Sequence, residues 1–288
     1  MRPDFTRRRA LVAFASALAV SLLAAPPALA DFIVPKSGGS PNANAISSLY
    51  KIILYIAAVV FAIVGGTLLY SLIKFRAKRG AVAAQIHGNT RLEIGWTVGA
   101  ALILVVITVV TFVKLPGIIN PPNSNAAPVL SASTTEPTPP NGKQITICVL
   151  GRQYIWRYTY GSGCLHNYFT GKLPYSYTTM VVPEGQTVVL TIQANDVIHS
   201  WWIPSLGGKV DAVPGYTTYT WFKALHTGFF RGQCAQLCGR NHAAMVAYVR
   251  VVTPAQYKAW LAQQQQLITS ANDQVGQLRQ YLTSTGQL

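Results

Sequence analysis

Residues 234–245 read CAQLCGRNHAAM and gather the side chains best suited to holding a soft metal. Cys234 and Cys238 stand four apart, His242 follows four later, and Met245 three after that. The thiolate, not the thiol, is the ligand, and a bound cation lowers the thiol pKa enough to release its proton. Thiolate, thioether and imidazole favour copper, and Cys, His and Met make up the donor set of copper electron-transfer sites. One Cys would supply a mononuclear centre. Two Cys, Met245, His242 and a second imidazole at His199, in DVIHSWWIPSL, suffice for two copper ions bridged by both thiolates. A Cys234–Cys238 disulfide is the competing reading, since thiols of exported proteins usually pair. Zinc is another, but Met is a poor zinc ligand. The combined spacing favours a dinuclear copper site.

Such a site dictates its scaffold. Cys234 and Cys238 face one cavity only if the residues between them form a tight loop, which also brings backbone carbonyls near the metals. His199 must arrive from a different strand. From Gln144 the chain runs in short β-branched and aromatic stretches: TICVL, QYIWRYTY, TTMVV, TVVLTI, TYTWF and MVAYVRVV. Turn signals at Pro183-Glu184-Gly185, Gly207-Gly208 and Pro214-Gly215 separate several of them, which argues an antiparallel sandwich or barrel over 144–253. Residues 254–288 are Gln-rich and read as a helical tail. Seven prolines mark 115–143 as an extended spacer.

Half of the 288 residues are hydrophobic and only 11% are charged, a balance that points to membrane contact. Residues 1–30 read as a signal peptide: Arg7 to Arg9, an apolar run to Ala25, and Ala28-Leu29-Ala30 before Asp31. Residues 31–114 then hold two membrane helices, at about 49–75 and 94–114, each with enough uncharged length to cross ~30 Å of hydrocarbon. Between them lie Lys74, Arg76, Lys78, Arg79 and Arg91. By the positive-inside rule that loop is cytoplasmic, so the metal motif lies outside the cytoplasmic membrane. The formal charge is +15, but no nucleic-acid module is present and nucleic acid is not an expected partner.

RLEIGWT (91–97), QYIWRYTY (153–160), DVIHSWWIPSLGGKVDAVPG (196–215) and FFRGQCAQLCGRNH (229–242) occur in the order found in subunit II of haem–copper cytochrome c oxidases. The chain resembles that family from about residue 45 to about 262. The resemblance implies a two-helix transmembrane hairpin followed by an all-β cupredoxin-like Greek-key barrel with a CuA centre. It implies that His199, Cys234, Gln236 (through its backbone carbonyl), Cys238, His242 and Met245 hold the coppers. Both Cys would bridge, one copper would also take His199 and Met245, and the other His242 and the Gln236 carbonyl. Cytochrome c would deliver electrons past Tyr154 and Trp156. Haem and CuB in subunit I would receive them for oxygen reduction coupled to proton pumping, with subunit III as a further partner. Glu93, in the stretch like LE-x-x-WT, would open a proton path, and it also suits a helix N-terminus by charge alone. Asp196, Lys209 and Asp211 are expected near the site as supporting and interface residues. The expected place is a bacterial inner membrane, with the C-terminal domain periplasmic.

Three departures qualify the resemblance. Tyr154 stands where relatives have a tryptophan. Gln236 stands where they have a Glu that reaches magnesium, and a neutral amide holds a hard cation more weakly, which puts magnesium in doubt. From residue 117 onward there are 11 Lys or Arg against 5 Asp or Glu, so the domain lacks the acidic surplus that steers a basic donor. A neutral, acidic or tethered cytochrome c is expected, with rates that fall little with added salt. Cys148 and Cys164 match no family ligand and read as a disulfide. His87, His166 and His226 read as structural or solvated. A quinol oxidase subunit lacks the copper donors. A copper carrier needs an open, Met- or His-rich site, and this chain has three Met. Two membrane helices and LEIGWT favour an oxidase over a nitrous oxide or nitric oxide reductase.

Overall fold

A computed structural model of the chain describes residues 34–76, 82, 85, 88–121, 144–161, 164 and 171–287. The signal peptide, His87, His166 and most of the Pro-rich spacer lie outside the described residues. Two long helices come first, α1 (Pro41–Lys74) and α2 (Thr90–Ile119). Their large apolar side chains point outward all round, Phe61 78% and Leu72 72% exposed among them. A helix apolar on every face suits lipid, not the surface of a soluble domain. At ~1.5 Å per residue both exceed the ~30 Å hydrocarbon layer.

Both helices run beyond their uncharged stretches. α1 starts at Pro41, whose ring presets the first helical turn after Ser40. Asn42, Ala43 and Ser47 of that first stretch are buried against the rest of the protein. α2 is capped by Asn89, whose Oδ1 accepts from the Leu92 amide at 3.2 Å. It continues through Pro116 to Ile119, although proline disfavours helix in the residue before it. The Trp221 indole donates to the Ile118 carbonyl at 3.1 Å, a tertiary bond that no local rule foresees.

Ten strands follow: β1 (Gln144–Arg152), β2 (Ile155–Tyr160), β3 (Tyr175–Tyr177), β4 (Thr179–Pro183), β5 (Thr187–Ala194), β6 (His199–Trp201), β7 (Val210–Ala212), β8 (Thr218–Lys223), β9 (Gly228–Gln233) and β10 (Val246–Val252). They form a sandwich of a five-stranded sheet, β3-β2-β1-β5-β8, and a three-stranded sheet, β4-β10-β9, with the β6-β7 ribbon beside them. The pairing is not wholly antiparallel. β1 pairs parallel with β5, and β10 with β4. Parallel neighbours need a crossover, here the chain passing to the other sheet and back, which alternation within single strands does not encode.

The core between the sheets includes Ile147, Trp156, Tyr158, Met180, Leu190, Trp201 and Phe222, all with almost no exposure. Trp201 stacks on Phe222 at 6.2 Å and donates to the Tyr158 hydroxyl at 3.3 Å, so its polar edge is satisfied inside the core. Cys148 and Cys164 form a disulfide with Cα atoms 5.8 Å apart, pinning β1 to the segment after β2. Helix α3 (Pro254–Ser284) opens with a capping box. The Gln256 amide donates to the Thr253 hydroxyl, and the Thr253 amide to the Gln256 side chain. Its first turns lay Tyr257 and Trp260 against Tyr160, with Trp260 5.0 Å away.

Candidate metal centre

The donors converge at one end of the sandwich, at the junction of β6 and the loop between β9 and β10. Two backbone bonds shape that loop. The Cys234 amide donates to the Met245 carbonyl at 2.8 Å, closing the ends, and the Ala235 amide donates to the Ser200 carbonyl at 2.9 Å, tying the loop to β6. Gly232, just before the loop, lies so close to the Trp202 carbonyl that a Cβ would overlap it. Gly239 turns the loop at φ +132°, a left-handed conformation that favours glycine, with the Tyr154 hydroxyl where a Cβ would be. A single turn of 3₁₀ helix, His242–Ala244, then delivers Met245 inward.

The thiols are free, and their sulfurs lie 3.9 Å apart, without a disulfide. Cys234 Sγ is 3.9 Å from His199 Nδ1 and 3.2 Å from the Gln236 carbonyl. Cys238 Sγ is 3.5 Å from His242 Nδ1 and 3.8 Å from Met245 Sδ. His199, Cys234, Cys238 and Met245 are buried, and His242 is half-buried. The ligand atoms of His199, Cys234 and Cys238 all lie within 4.8 Å of one another. Two sulfurs flanked by two ring nitrogens, a thioether and a carbonyl oxygen fit copper, being soft donors with imidazole, and leave no hard-cation shell of carboxylates. The sulfur distances pair His199 with the Gln236 carbonyl, and His242 with Met245. Because each sulfur would bridge, that pairing does not assign donors to one metal or the other.

Asp196 does more than neighbour the site. Its Oδ1 accepts from His199 Nε2 at 2.9 Å and its Oδ2 from the Gln153 amide at 2.7 Å. A proton held on Nε2 leaves Nδ1 as the lone-pair nitrogen facing Cys234, the arrangement by which outer hydrogen bonds orient metal-binding imidazoles. Burial works against the charged forms of both groups. It is outweighed by the Cys234 and Asp196 contacts, which raise the His199 pKa, and by the Gln153 and His199 bonds, which lower that of Asp196. Burial likewise raises Cys234, yet hydrogen bonds led by the His199 contact bring its thiol down to about 6. Cys238 is pushed up to about 11 by burial and by the neighbouring Cys234 charge.

Trp156 packs edge-on to the His199 ring at 5.9 Å and is buried. Tyr154 is half-buried, its hydroxyl over Gly239. Gln153 Nε2 donates to the Cys238 carbonyl at 2.6 Å. That contact joins residues 85 apart and carries no sequence signal. The Gln236 side chain is exposed. Lys209 and Asp211 pair at 3.0 Å on β7 and its approach. Glu93 accepts from the Asn89 amide at 3.3 Å at the start of α2, so it serves as a helix cap at the far end of the hairpin from the donors. His226 packs on Phe230 at 5.4 Å, away from the donors.

Two family models match this chain. "Cytochrome C oxidase subunit II, transmembrane domain" covers residues 30–113, and "Cytochrome C oxidase subunit II, periplasmic domain" covers 145–252. Subunit 2 of the cytochrome c oxidase of Cereibacter sphaeroides is 33% identical over 265 residues, 80% of this chain and 81% of that protein. Its counterpart in Alkalihalophilus pseudofirmus is 32% identical over 224 residues, and the chain spans 59% of that relative's length. The solved periplasmic domain of subunit II from Bradyrhizobium japonicum is 31% identical and aligns over 43% of this chain and 95% of its own, with a TM-score of 0.39. With both of its halves matched in order and relatives aligned over most of their length, the chain is a membrane protein that belongs to the cytochrome c oxidase subunit II family.

Proposed function

We propose that the protein is the electron-transfer subunit of a respiratory terminal oxidase, carrying a dinuclear CuA centre that passes electrons from cytochrome c to haem in subunit I. The observation that carries this reading is two unpaired, buried thiols 3.9 Å apart, ringed by two imidazoles, a thioether and a backbone carbonyl. When bound, the copper pair would accept and return one electron shared across both ions. Cys234 and Cys238 would hold both ions, His199 and Met245 would complete the shell of one, and His242 and the Gln236 carbonyl that of the other. Asp196 holds the His199 ring in register. The surrounding core keeps the donors from moving, so little rearrangement accompanies each electron.

Electrons enter past Tyr154, the half-buried ring over Gly239, and past Trp156, which packs edge-on to His199. The outgoing electron crosses to subunit I, where oxygen is reduced and protons are pumped; subunit III completes the assembly. The chain sits in a bacterial inner membrane with residues 144–253 outside the cytoplasm, and Glu93 then faces the cytoplasmic side at the mouth of a proton path. Magnesium binding at Gln236 is weak or absent, because an amide replaces a carboxylate. Electron paramagnetic resonance of the purified, copper-loaded chain tests the centre. A mixed-valence spectrum with hyperfine structure from two equivalent copper nuclei is expected. A mononuclear copper spectrum, or no copper uptake, overturns the reading.

A further inference from the structure

Resting on that electron-transfer reading, we propose that the Gly39–Asn42 segment, which leads into the first turn of α1, is a positioning clamp hinging on Asn42 that fixes the donor pocket over the membrane hairpin and so sets the rate at which electrons leave it for subunit I.

Ser40 and Asn42 are buried, at 0% and 2% exposure, where a polar side chain is stable only when bonded. Asn42 Nδ2 donates to the Trp221 carbonyl at 2.7 Å. Asn42 Oδ1 accepts from the Ala43 amide at 2.9 Å and from the Ser40 hydroxyl at 2.5 Å. The Ser40 hydroxyl in turn accepts from the Lys223 amide at 3.1 Å, and the Gly39 carbonyl from the Leu225 amide at 3.0 Å. These three contacts fall on alternate residues, Trp221 and Lys223 of β8, an outer strand of the five-stranded sheet, and Leu225 just beyond it. The segment therefore satisfies backbone groups along the outer edge there, two through side chains and one through the Gly39 backbone, where an edge strand otherwise leaves them open.

Trp221 also donates to Ile118 at the end of α2, so both arms of the hairpin are fastened at one residue. Lys114 of α2 donates to the Ser48 hydroxyl of α1 at 3.3 Å and braces the arms against each other. The same segment touches the two stretches that deliver the metal donors. Gly39 lies against the Ser205 carbonyl and the Phe230 ring, too close for a Cβ. A Cβ at Gly207 would stand 2.7 Å from Asn42 Nδ2. Ser205 and Gly207 follow β6, which carries His199, and Phe230 lies in β9, which leads into Cys234. Electron tunnelling falls exponentially with separation, so a pocket that rocks on its hairpin loses rate without losing any donor.

The test uses the intact oxidase purified with Asn42→Asp, Asn42→Ala or Gly207→Ala in this chain. Asn44→Ala serves as a control, since the Asn44 side chain accepts from the Gly38 amide, outside the segment. Flash-initiated transfer from the copper centre to haem is expected to slow several-fold in the first three variants. The copper resonance spectrum and the rate of electron uptake from cytochrome c are expected to stay as in wild type. Amide exchange at Lys223 and Leu225 reports whether the clamp has opened. Exposed amides with an unchanged outward rate overturn the clamp. A variant that assembles poorly but transfers at the wild-type rate shows a folding role only and also overturns it. A wild-type complex without a dinuclear copper signal removes the function reading and the clamp together. A normal wild-type signal with unslowed variants removes the clamp alone.

Discussion

At the residue scale the two thiols are unequal before any metal arrives. Hydrogen bonding brings Cys234 down to about 6, while burial and its charged neighbour push Cys238 up to about 11. Metal uptake displaces whatever protons the ligands still carry. Between those two values the Cys238 proton must leave, joined by the His199 proton wherever that ring is charged, so copper affinity should rise by at least ~tenfold per pH unit. Below about 6 the Cys234 proton must leave as well, and the dependence should steepen further. Copper titration of the metal-free protein at several pH values checks the slope, and a flat profile from pH 6 to 8 contradicts it. Cys238→Ser should remove one bridge and leave a mononuclear spectrum or no copper. Asp196→Asn keeps the size of the side chain but replaces a charged acceptor of the His199 proton with a neutral one. It should weaken copper binding ~10–100-fold, the usual effect of losing the group behind a metal-binding imidazole. Competition with a copper chelator measures it.

At the element scale the sandwich is held by a wide aromatic core and one covalent cross-link. Cys148 and Cys164 close a loop of 16 residues that fastens the central strand β1 to the segment beyond β2. Replacing both with alanine should cost about 3 kcal/mol, mostly through the freer unfolded chain. Denaturant unfolding of the wild type and the double variant gives the difference. Neither half-cystine touches the metal donors, so the copper spectrum of the double variant should not change. Helix α3 depends on a different device. Its capping box starts it, and Tyr257 and Trp260 lay it on Tyr160, while beyond Asn272, which donates to the Gly171 carbonyl at 3.0 Å, its large side chains Val275, Leu278 and Tyr281 are exposed.

At the scale of the whole molecule, charge bears on the proposed orientation and partner. The basic residues between α1 and α2 should face the cytoplasm, so a membrane-impermeant amine reagent should modify that loop only in inverted vesicles. Labelling from the opposite side would reverse the topology. The basic balance beyond residue 117 leaves no acidic field for a basic donor. The second-order rate with a neutral or tethered cytochrome c should therefore fall little between low and physiological salt. A steep fall would mean that opposite charges steer the encounter.

The candidate donor residues were legible because sulfur and imidazole donors have few other reasons to sit at four, four and three residue intervals, and the hairpin because lipid demands long uncharged stretches whatever the fold. The sequence also made β1, β2, β4, β5, β8 and β10 visible, through β-branched and aromatic runs between turns, while the short β3, β6 and β7 and the Gly-containing β9 carried no such run. Only tertiary structure decided the rest. The parallel β1–β5 and β10–β4 pairings depend on a crossover between sheets, and the bonds from Gln153 to Asp196 and to Cys238 depend on how separate loops meet. The early start of α1 goes with the burial of Asn42 and its bond to the Trp221 carbonyl of β8, and the run of α2 through Pro116 with the bond from the Trp221 indole to Ile118. These are contacts between residues far apart in the chain, and local pattern carries no record of which distant partner a side chain will find.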